Sequence, residues 1–561
     1  AALRTNSADV RALNGRGQSL AVLGQPDQAL ACYDAALARF DGDAHTHFHK
    51  ALALSELQRF EEALASVDRV LALDPNIQGA HHGRANILTK LGRHAEALRE
   101  YKAEYALHPS SDYALGHYLS AKLGLADWHE YGELVQILSQ RVSNGESPAT
   151  PFVVSLVSDS GDLLRRSAET HATYHKAVAA IAAPLIGGGD RQRIRIGYFS
   201  SDFTDHPVAH LLTGVLAAHD RQRFEVFAYA FGDRRDAYTE AVRDAVDHFV
   251  DCKGLSTQQI VHAARLDGLD VAIDLNGYTS GGQTAVFASR VAPVQLSYIG
   301  FLGTMGAAFI DYLVVDPVIA PASHRRFFTE KLLTLPWYQC NSSAEKLPAV
   351  EPVREQYGLP NDAFVFVSFN NVFKLTPQMF ALWMRILKRT PESVLWVLAS
   401  DPAAQENLLR AAAGHGIAAS RVVFAKGAPR AEHLARQRLA DLMLDTFPYN
   451  GGATTSNALR AGLPVLTLAG EGFASRMGAS LLTAAGAPDL IADSWESYED
   501  KAVRLALDAD AALAVRRRIG DAHTTSLFDP LAFARRFERG LALAVERSRA
   551  GLAPDDIDAS A

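Results

Sequence analysis

The chain has 561 residues, 48% of them hydrophobic and 21% charged, with a net charge of −8. That length exceeds one hydrophobic core and predicts roughly three to four units of about 150 residues or fewer. The balance is that of an ordinary globular protein and argues against a whole-chain nucleic-acid or membrane-surface binder. The chain begins without Met, inside a helical pattern and with no charged-then-apolar leader, so further sequence is expected upstream.

A step of 34 residues aligns Leu20, Leu54 and Leu88, then Leu23, Leu57 and Leu91, then Ala29, Ala63 and Ala97, then Leu30, Leu64 and Leu98. Gly24 and Gly92 follow the second leucine column, with Gln58 between them, and Pro75 and Pro109 close two copies. This is the tetratricopeptide pattern: two antiparallel helices per copy, a small alanine column for close approach and leucine columns filling the layer. Residues 1–110 are assigned to it, and its concave face is expected to take a protein partner. His45 and His49 share one helical face, but no carboxylate or Cys completes a metal site there. His171 and His175 are four apart with Ala172 where a metalloprotease motif needs Glu. Residues 111–189 remain helical without the repeat and read as an adaptor, with a loop at "SNGESPATP". The apolar stretch "AVAAIAAPLIGGG" is short and contains Pro184, so no membrane span is expected.

From Arg191 the texture changes to short β-rich runs separated by helical or loop segments: "RIRIGYFS", "FEVFAYAF", "LDVAIDLNGY", "VQLSYIGF" and "DYLVVD". A loop region follows from about Pro336 to Leu359, and the pattern restarts with "FVFVSFN", "SVLWVLAS", "RVVFAKG", "ADLMLDTF" and "LPVLTL". Such alternation predicts two doubly wound domains, residues 190–345 and 346–561, the second carrying terminal helices. Ligands in such sheets bind beyond the carboxyl ends of the strands.

Chemistry is therefore sought at the strand exits. "YNGGATTSN" leaves a buried strand and starts a helix near Ala453 or Thr454. A helix start suits phosphate through its free N–H groups and partial positive charge. Gly451 and Gly452 allow backbone approach, Asn450 beside them is a further donor-binding candidate, and Thr454, Thr455 and Ser456 exceed what one cap requires. The stretch matches neither the Walker pattern nor GxGxxG. Lys374, after Asn370 and Asn371, can place positive charge against a leaving diphosphate. Arg430, His433 and Arg436 share a helical face that can meet a nucleotide base or ribose. In the first of the two domains, "GYFSSDFTDHP" brings Asp202, Asp205 and His206 to a strand exit, with His206 a candidate base or hydroxyl-orienting group. "DLNGYTSGG" and "GFLGTMGA" add Asn276, Tyr278 and Thr304 as a cleft wall on the sugar or acceptor side, with Asp267 a weaker base candidate. The layout suits glycosyl transfer from a nucleotide sugar, where the main demand is charge stabilisation at the diphosphate. The DxD-like pairs at Asp41 and Asp43, Asp508 and Asp510, and Asp556 and Asp558 lie away from these exits, so no metal or other cofactor is expected. Cys32, Cys252 and Cys340 form no disulfide framework or CxxC site, which points to a reducing cytoplasm.

The repeats together with "GYFSSDFTDHP", "DLNGYTSGG", "SFNNVFKLTP", "APRAEHLARQRLADLMLDTFPYNGGATTSNALRAG" and "GEGFASRMGAS" resemble the O-linked N-acetylglucosamine transferase family, in the manner of a bacterial homologue. The resemblance implies a tetratricopeptide superhelix joined to a GT-B pair of Rossmann-like domains, an α + α/β chain. It also implies UDP-N-acetylglucosamine as donor, protein Ser or Thr as acceptor, and inversion. By the same resemblance His206 is the histidine beside sugar and acceptor, Lys374 the diphosphate lysine, and His433 the histidine that stacks on uracil. Arg430 stands for a uridine-binding Lys, Arg436 for an Arg of that helix, and Asn371 for a Gln near the diphosphate. Thr454 keeps one of two phosphate threonines. Ala453 replaces the other, Gly452 replaces a His, and Asn457 replaces an Asp that holds ribose. Gly15, His49 and Gly83 occupy the places of an asparagine ladder. Two alternatives stay open: a non-catalytic repeat scaffold that binds nucleotide, and a transferase for another sugar or for Asn acceptors.

Overall fold

The computed structural model describes residues 6–175, 191–341, 352–520 and 525–560. Two compact units make up the chain, Ala1–Leu125 with Glu130–Leu134, and Ala126–His129 with Val135–Ala561.

The first unit is built from helix pairs: Asn6–Val22 with Pro26–Leu37, Ala44–Glu56 with Phe60–Leu73, and Ala80–Lys90 with His94–Leu107. The alanine column is fully buried, with Ala29 and Ala63 at 0% and Ala97 at 2% exposure, so paired helices meet at close range. Leu54 and Leu88 are also buried. The second leucine column corrects the expectation of a filled layer: Leu23 is 70% exposed, and Leu57 and Leu91 pack only partly against the core. These residues sit where the helix ends, just before the turn. At that turn Gly24 and Gly92 have φ of +72° and +73°, and Gln58 is forced to +59°. A side chain in that region costs about 1–2 kcal/mol, so Gln58→Gly should stabilise the repeat unit by about 1 kcal/mol after glycine's extra chain entropy is deducted. Urea unfolding checks this; an unmoved or lowered midpoint would contradict it.

The repeat packing extends past the expected boundary at 110, since the unit takes in the helix Ala114–Gly124. Of the adaptor, the helices Pro151–Val157 and Gly161–Ala172 belong to the second unit. The boundary at 189–190, the one at 345–346, the stretch around Pro184 and part of the predicted loop from 336 to 359 lie outside the described residues.

The second unit holds two parallel sheets. In the first, β1 (Ile194–Ser200), β2 (Phe224–Ala230), β3 (His248–Asp251), β4 (Val271–Asp274), β5 (Val294–Ser297), β6 (Tyr312–Val315) and β7 (Lys331–Thr334) are followed by the second sheet's strands. These are β8 (Phe364–Ser368), β9 (Ser393–Leu398), β10 (Val422–Ala425), β11 (Leu442–Leu444), β12 (Val465–Leu468) and β13 (Ile491–Ala492). β14 (Ile557–Asp558) returns to the first sheet. The orders are β14-β7-β6-β5-β4-β1-β2-β3 and β10-β9-β8-β11-β12-β13, every pairing parallel. Strand order reverses between β4 and β1 in one sheet and between β8 and β11 in the other. These two switch points are where such sheets receive ligands.

The assignment of residues 346–561 to one domain needs correction. Phe533, Phe537 and Leu541, spaced by four, form the buried stripe of the helix Pro530–Arg549. That helix packs on Pro207–Ala218 of the first lobe, where His219 Nδ1 meets Glu538 Oε1 at 3.0 Å, and β14 then pairs with β7. The tail thus completes the first lobe. Among the described residues no helix is long and apolar enough to cross a membrane.

Candidate functional site

The second switch point is organised by Asp445, which leaves β11 fully buried. Its Oδ1 accepts from the N–H of Gly451 at 2.7 Å, the N–H of Thr446 at 2.9 Å and Asn370 Nδ2 at 3.1 Å, and its Oδ2 accepts from Thr467 Oγ1 at 2.8 Å. One carboxylate thereby fixes the exits of β8 and β11 to β12. Burial pushes its pKa up to about 6, against the pull of these donors and of Lys374. Sequence reasoning passed over Asp445, although an Asp closing the apolar run "LML" was the available signal.

The loop it holds delivers the chain to the helix Ala453–Arg460. Gly451 has to lack a side chain: a Cβ there would stand 2.8 Å from Thr455 Oγ1 and 3.1 Å from Asn370 Oδ1. Both oxygens are buried without a hydrogen-bond partner among the described residues. Gly452 precedes the helix, and no side chain caps its first turn. The three hydroxyls divide. Thr454 stays accessible, Thr455 is buried, and Ser456 Oγ receives Gln339 Nε2. The expectation of three ligand hydroxyls therefore contracts to Thr454, with Thr455 beneath it. Asn450 is corrected too: its Nδ2 donates to the Thr446 carbonyl at 2.7 Å and its Oδ1 accepts from Gly478 at 3.2 Å, so its side chain shapes the loop.

Lys374 reaches this loop from the β8 exit. Its Nζ lies 3.4 Å from the Asn450 carbonyl and 4.6 Å from the Tyr449 ring centroid. Asn371, by contrast, is exposed. Burial pulls the Lys374 pKa down to about 8, with Asp445 opposing. A bound diphosphate favours the charged amine, so UDP affinity should be flat below about pH 8 and fall above it, by up to tenfold per pH unit until the liganded pKa is reached. Calorimetry between pH 6.5 and 9.5 reads this directly; a flat profile would remove Lys374 from the anion site.

The helix Arg430–Arg436 supplies the next group. Arg436 is buried and is not a surface contact as expected: its guanidinium lies 4.7 Å from the Phe369 centroid and donates to the Lys426 carbonyl at 2.7 Å. It also meets His433 Nδ1 at 3.0 Å. A guanidinium can only donate, so Nδ1 accepts and the neutral imidazole carries its proton on Nε2. Burial, then Arg436 and Arg430, hold this histidine down to about 4. Arg430 Nη1 donates to Asn457 Oδ1 at 3.2 Å, linking this helix to the phosphate-type loop. Lys374, Thr454, His433, Arg430 and Asn457 are thus gathered at one sheet edge.

At the first switch point, β1 and β4 exits are tied by Asn276. Its Oδ1 accepts from the Ser201 N–H at 2.9 Å and its Nδ2 donates to Asp202 Oδ2 at 2.7 Å. His206, four residues on, has Nδ1 3.7 Å from Asp202 Oδ2 and accepts the Val208 N–H on Nδ1 at 3.3 Å. It therefore caps the helix Pro207–Ala218 and keeps Nε2–H as a donor. Burial holds its pKa below the ordinary range against Asp202 and Asp205. Asn276 itself is fully buried and serves the loop. Asp205 pairs with His210 at 2.8 Å.

Three candidates fall away from this edge. Asp267 ends a helix at the amino side of the sheet, where its carbonyl accepts from Arg195 at 2.6 Å and its carboxylate from Tyr229 at 2.5 Å. Tyr278 is buried among His171, His175 and Phe301 and donates to the Met305 carbonyl at 2.6 Å. Thr304 is buried and donates to Glu330 at 2.6 Å. Among the described residues no group of three or more His, Cys, Asp or Glu could hold a metal ion.

Gln339 and Asn341, which sequence reasoning also missed, reach from the β7 exit to Ser456, and Arg476 donates to the Val318 carbonyl. Asp159 of the adaptor accepts from the N–H groups of Glu471 and Gly472 at 2.7 and 2.8 Å. Two Rossmann-like lobes joined in this way, each with its switch point furnished, define a GT-B glycosyltransferase architecture, preceded in the chain by a helical-repeat unit.

Residues 167–340 and 338–537 match the glycosyl transferase family 41 pattern, and the chain belongs to that family. Residues 6–138 match the bacterial transcriptional activator domain. A probable UDP-N-acetylglucosamine–peptide N-acetylglucosaminyltransferase SEC of Arabidopsis thaliana is 38% identical, the alignment covering 64% of this chain and 37% of that protein. The UDP-N-acetylglucosamine–peptide N-acetylglucosaminyltransferase of Caenorhabditis elegans is 28% identical over 77% of this chain and 49% of its own length. The chain thus spans less than half the length of these two relatives. Among solved structures, a mutant form of the Thermobaculum terrenum O-GlcNAc transferase aligns with a TM-score of 0.72 at 25% identity, covering 97% of this chain and 99% of that one.

Proposed function

We propose that the chain transfers N-acetylglucosamine from UDP-N-acetylglucosamine to Ser or Thr hydroxyls of proteins, with inversion and without metal. One observation carries the reading: Lys374, the uncapped start of Ala453–Arg460 and the Nε2–H of His433 converge at the second switch point in a family 41 chain. The helix N–H groups, Thr454 and Lys374 hold the diphosphate and take up the charge that develops as the C1–phosphate bond breaks. His433 and Arg430, with Asn457, take the uridine. The acceptor hydroxyl attacks C1 from the face opposite the leaving diphosphate. His206 has its Nδ1 engaged as a helix cap, which leaves a donor on Nε2. It orients the incoming oxygen, and the hydroxyl proton passes to a phosphate oxygen of the donor. The buried, unpaired Cys32, Cys252 and Cys340 suit a reducing cytoplasm.

Incubation with radiolabelled UDP-N-acetylglucosamine and a protein acceptor in EDTA should give label on protein, with mass spectrometry placing it on Ser or Thr. Absence of both transfer and slow donor hydrolysis would contradict catalysis, and tight UDP binding without turnover would favour a nucleotide-binding scaffold.

A further inference from the structure

The 34-residue step puts Gly83 level with His49 on successive first helices of the repeat unit. The two positions behave differently. The His49 ring fills its space, stacked at 6.1 Å on Tyr33 and bonded to Gln18 at 2.6 Å. Gly83 leaves its space open, and a cavity of about 310 Å³ lies there between the helices Ala44–Glu56 and Ala80–Lys90. Its floor is core: Ala51, Val67 and Ile87 are nearly inaccessible. Its wall is Phe48 and Leu52, the latter 46% exposed although apolar. Glu56 and Lys90 stand on its rim, and among the described residues neither takes part in an ion pair.

We infer that this cavity anchors one large apolar side chain of an acceptor polypeptide. The floor and wall are apolar; Ser55, Gln58 and Asn86 complete the lining, with Ser55 and Asn86 already hydrogen-bonded within the protein, so an apolar side chain gains by burial there. The rim offers one charge of each sign about the entrance, which matches a residue flanked by a base and an acid and disfavours a lipid or a small anion. The inference rests on the reading of the acceptor as a polypeptide, and names what in that polypeptide is selected. Affinity comes from burial of the apolar side chain, and the flanking charges set register.

The test uses the full chain without donor and fluorescein-labelled peptides Gly-Ser-Lys-Xaa-Asp-Ser-Gly and Gly-Ser-Asp-Xaa-Lys-Ser-Gly, with Xaa Leu, Phe or Ser. Anisotropy should show Leu or Phe binding at least about tenfold tighter than Ser in one charge order. Gly83→Leu should abolish that difference. A Cβ at Gly83 would sit 3.7 Å from Phe48 Cε2 and 4.0 Å from Val67 Cγ2, ordinary contacts, so the change fills the cavity without a clash at its first atom. Leu52→Ser, at an exposed position, removes a wall without touching the core and should reduce the difference by itself. Far-ultraviolet circular dichroism and a urea-unfolding midpoint no lower than that of the parent chain in both variants certify the fold of the repeat unit that carries them. Equal binding of Leu, Phe and Ser peptides, no peptide binding, or full discrimination in both variants would overturn the inference. Because no sugar is transferred in this assay, selective binding in a chain that fails to glycosylate would contradict the catalytic reading alone.

Discussion

Replacing Lys374 by Met should weaken UDP binding by about 100-fold and at the same time stabilise the nucleotide-free protein. The loss follows from removing a half-buried positive charge that faces a polyanionic ligand, typically 2–5 kcal/mol, of which about 2.8 kcal/mol is the 100-fold stated. The gain has its origin in burial. A pKa depressed from 10.5 to about 8 means that the folded state holds the proton less readily than the unfolded chain. The cost of burying the charge is complete below pH 8, and stability rises with pH from about 8 to 10.5 as the unfolded chain alone remains protonated. A methionine of similar length removes that cost. Thermal unfolding at pH 7 should therefore move up while the UDP titration collapses. A lowered melting temperature with unchanged UDP affinity would make Lys374 a structural lysine.

Asp445→Ala should be the most damaging single change in the second lobe. It strands four buried donors, the N–H groups of Gly451 and Thr446, Asn370 Nδ2 and Thr467 Oγ1. Each unsatisfied group costs about 1–3 kcal/mol, with partial relaxation, so a loss of about 3–5 kcal/mol is expected. UDP binding should be lost with it, because the Gly451 turn and the Lys374 approach share this anchor. Asp445→Asn keeps part of the network and should retain intermediate stability. Urea unfolding followed by tryptophan fluorescence measures both; a destabilisation below 1 kcal/mol for the alanine variant would mean the carboxylate does not organise the loops.

Most strands legible in the sequence are buried along their length, because parallel central strands are continuous apolar runs, and the half-buried edge strand β10 was legible as well. "FEVFAYA" is buried at every position and was read; β3, with its ends exposed, and the two-residue β13 and β14 were not. The short β14 also explains the misplaced domain boundary, since two residues carry no periodicity to show that the tail returns to the first sheet. In the candidate site, Lys374, His433 and the glycine-rich helix start were legible because strand exits are predictable places for ligands. What the sequence could not show was which polar residues are consumed by the protein itself. Thr304, Tyr278 and Asn276 are bonded to partners within the protein, and Arg436 is bonded to the edge of His433. Residue type and spacing are the same in either case; only packing tells a ligand-facing group from a positioning one. Asp445 is the converse, a residue of ordinary appearance whose four hydrogen bonds make the site.

The crystal structure of the chain with UDP is the most direct test of the central claim. The diphosphate should accept hydrogen bonds from the first N–H groups of the helix Ala453–Arg460 and from Lys374 Nζ, with uracil against His433. A nucleotide lodged instead at the first switch point beside His206, or one that leaves Lys374 untouched, would contradict the account.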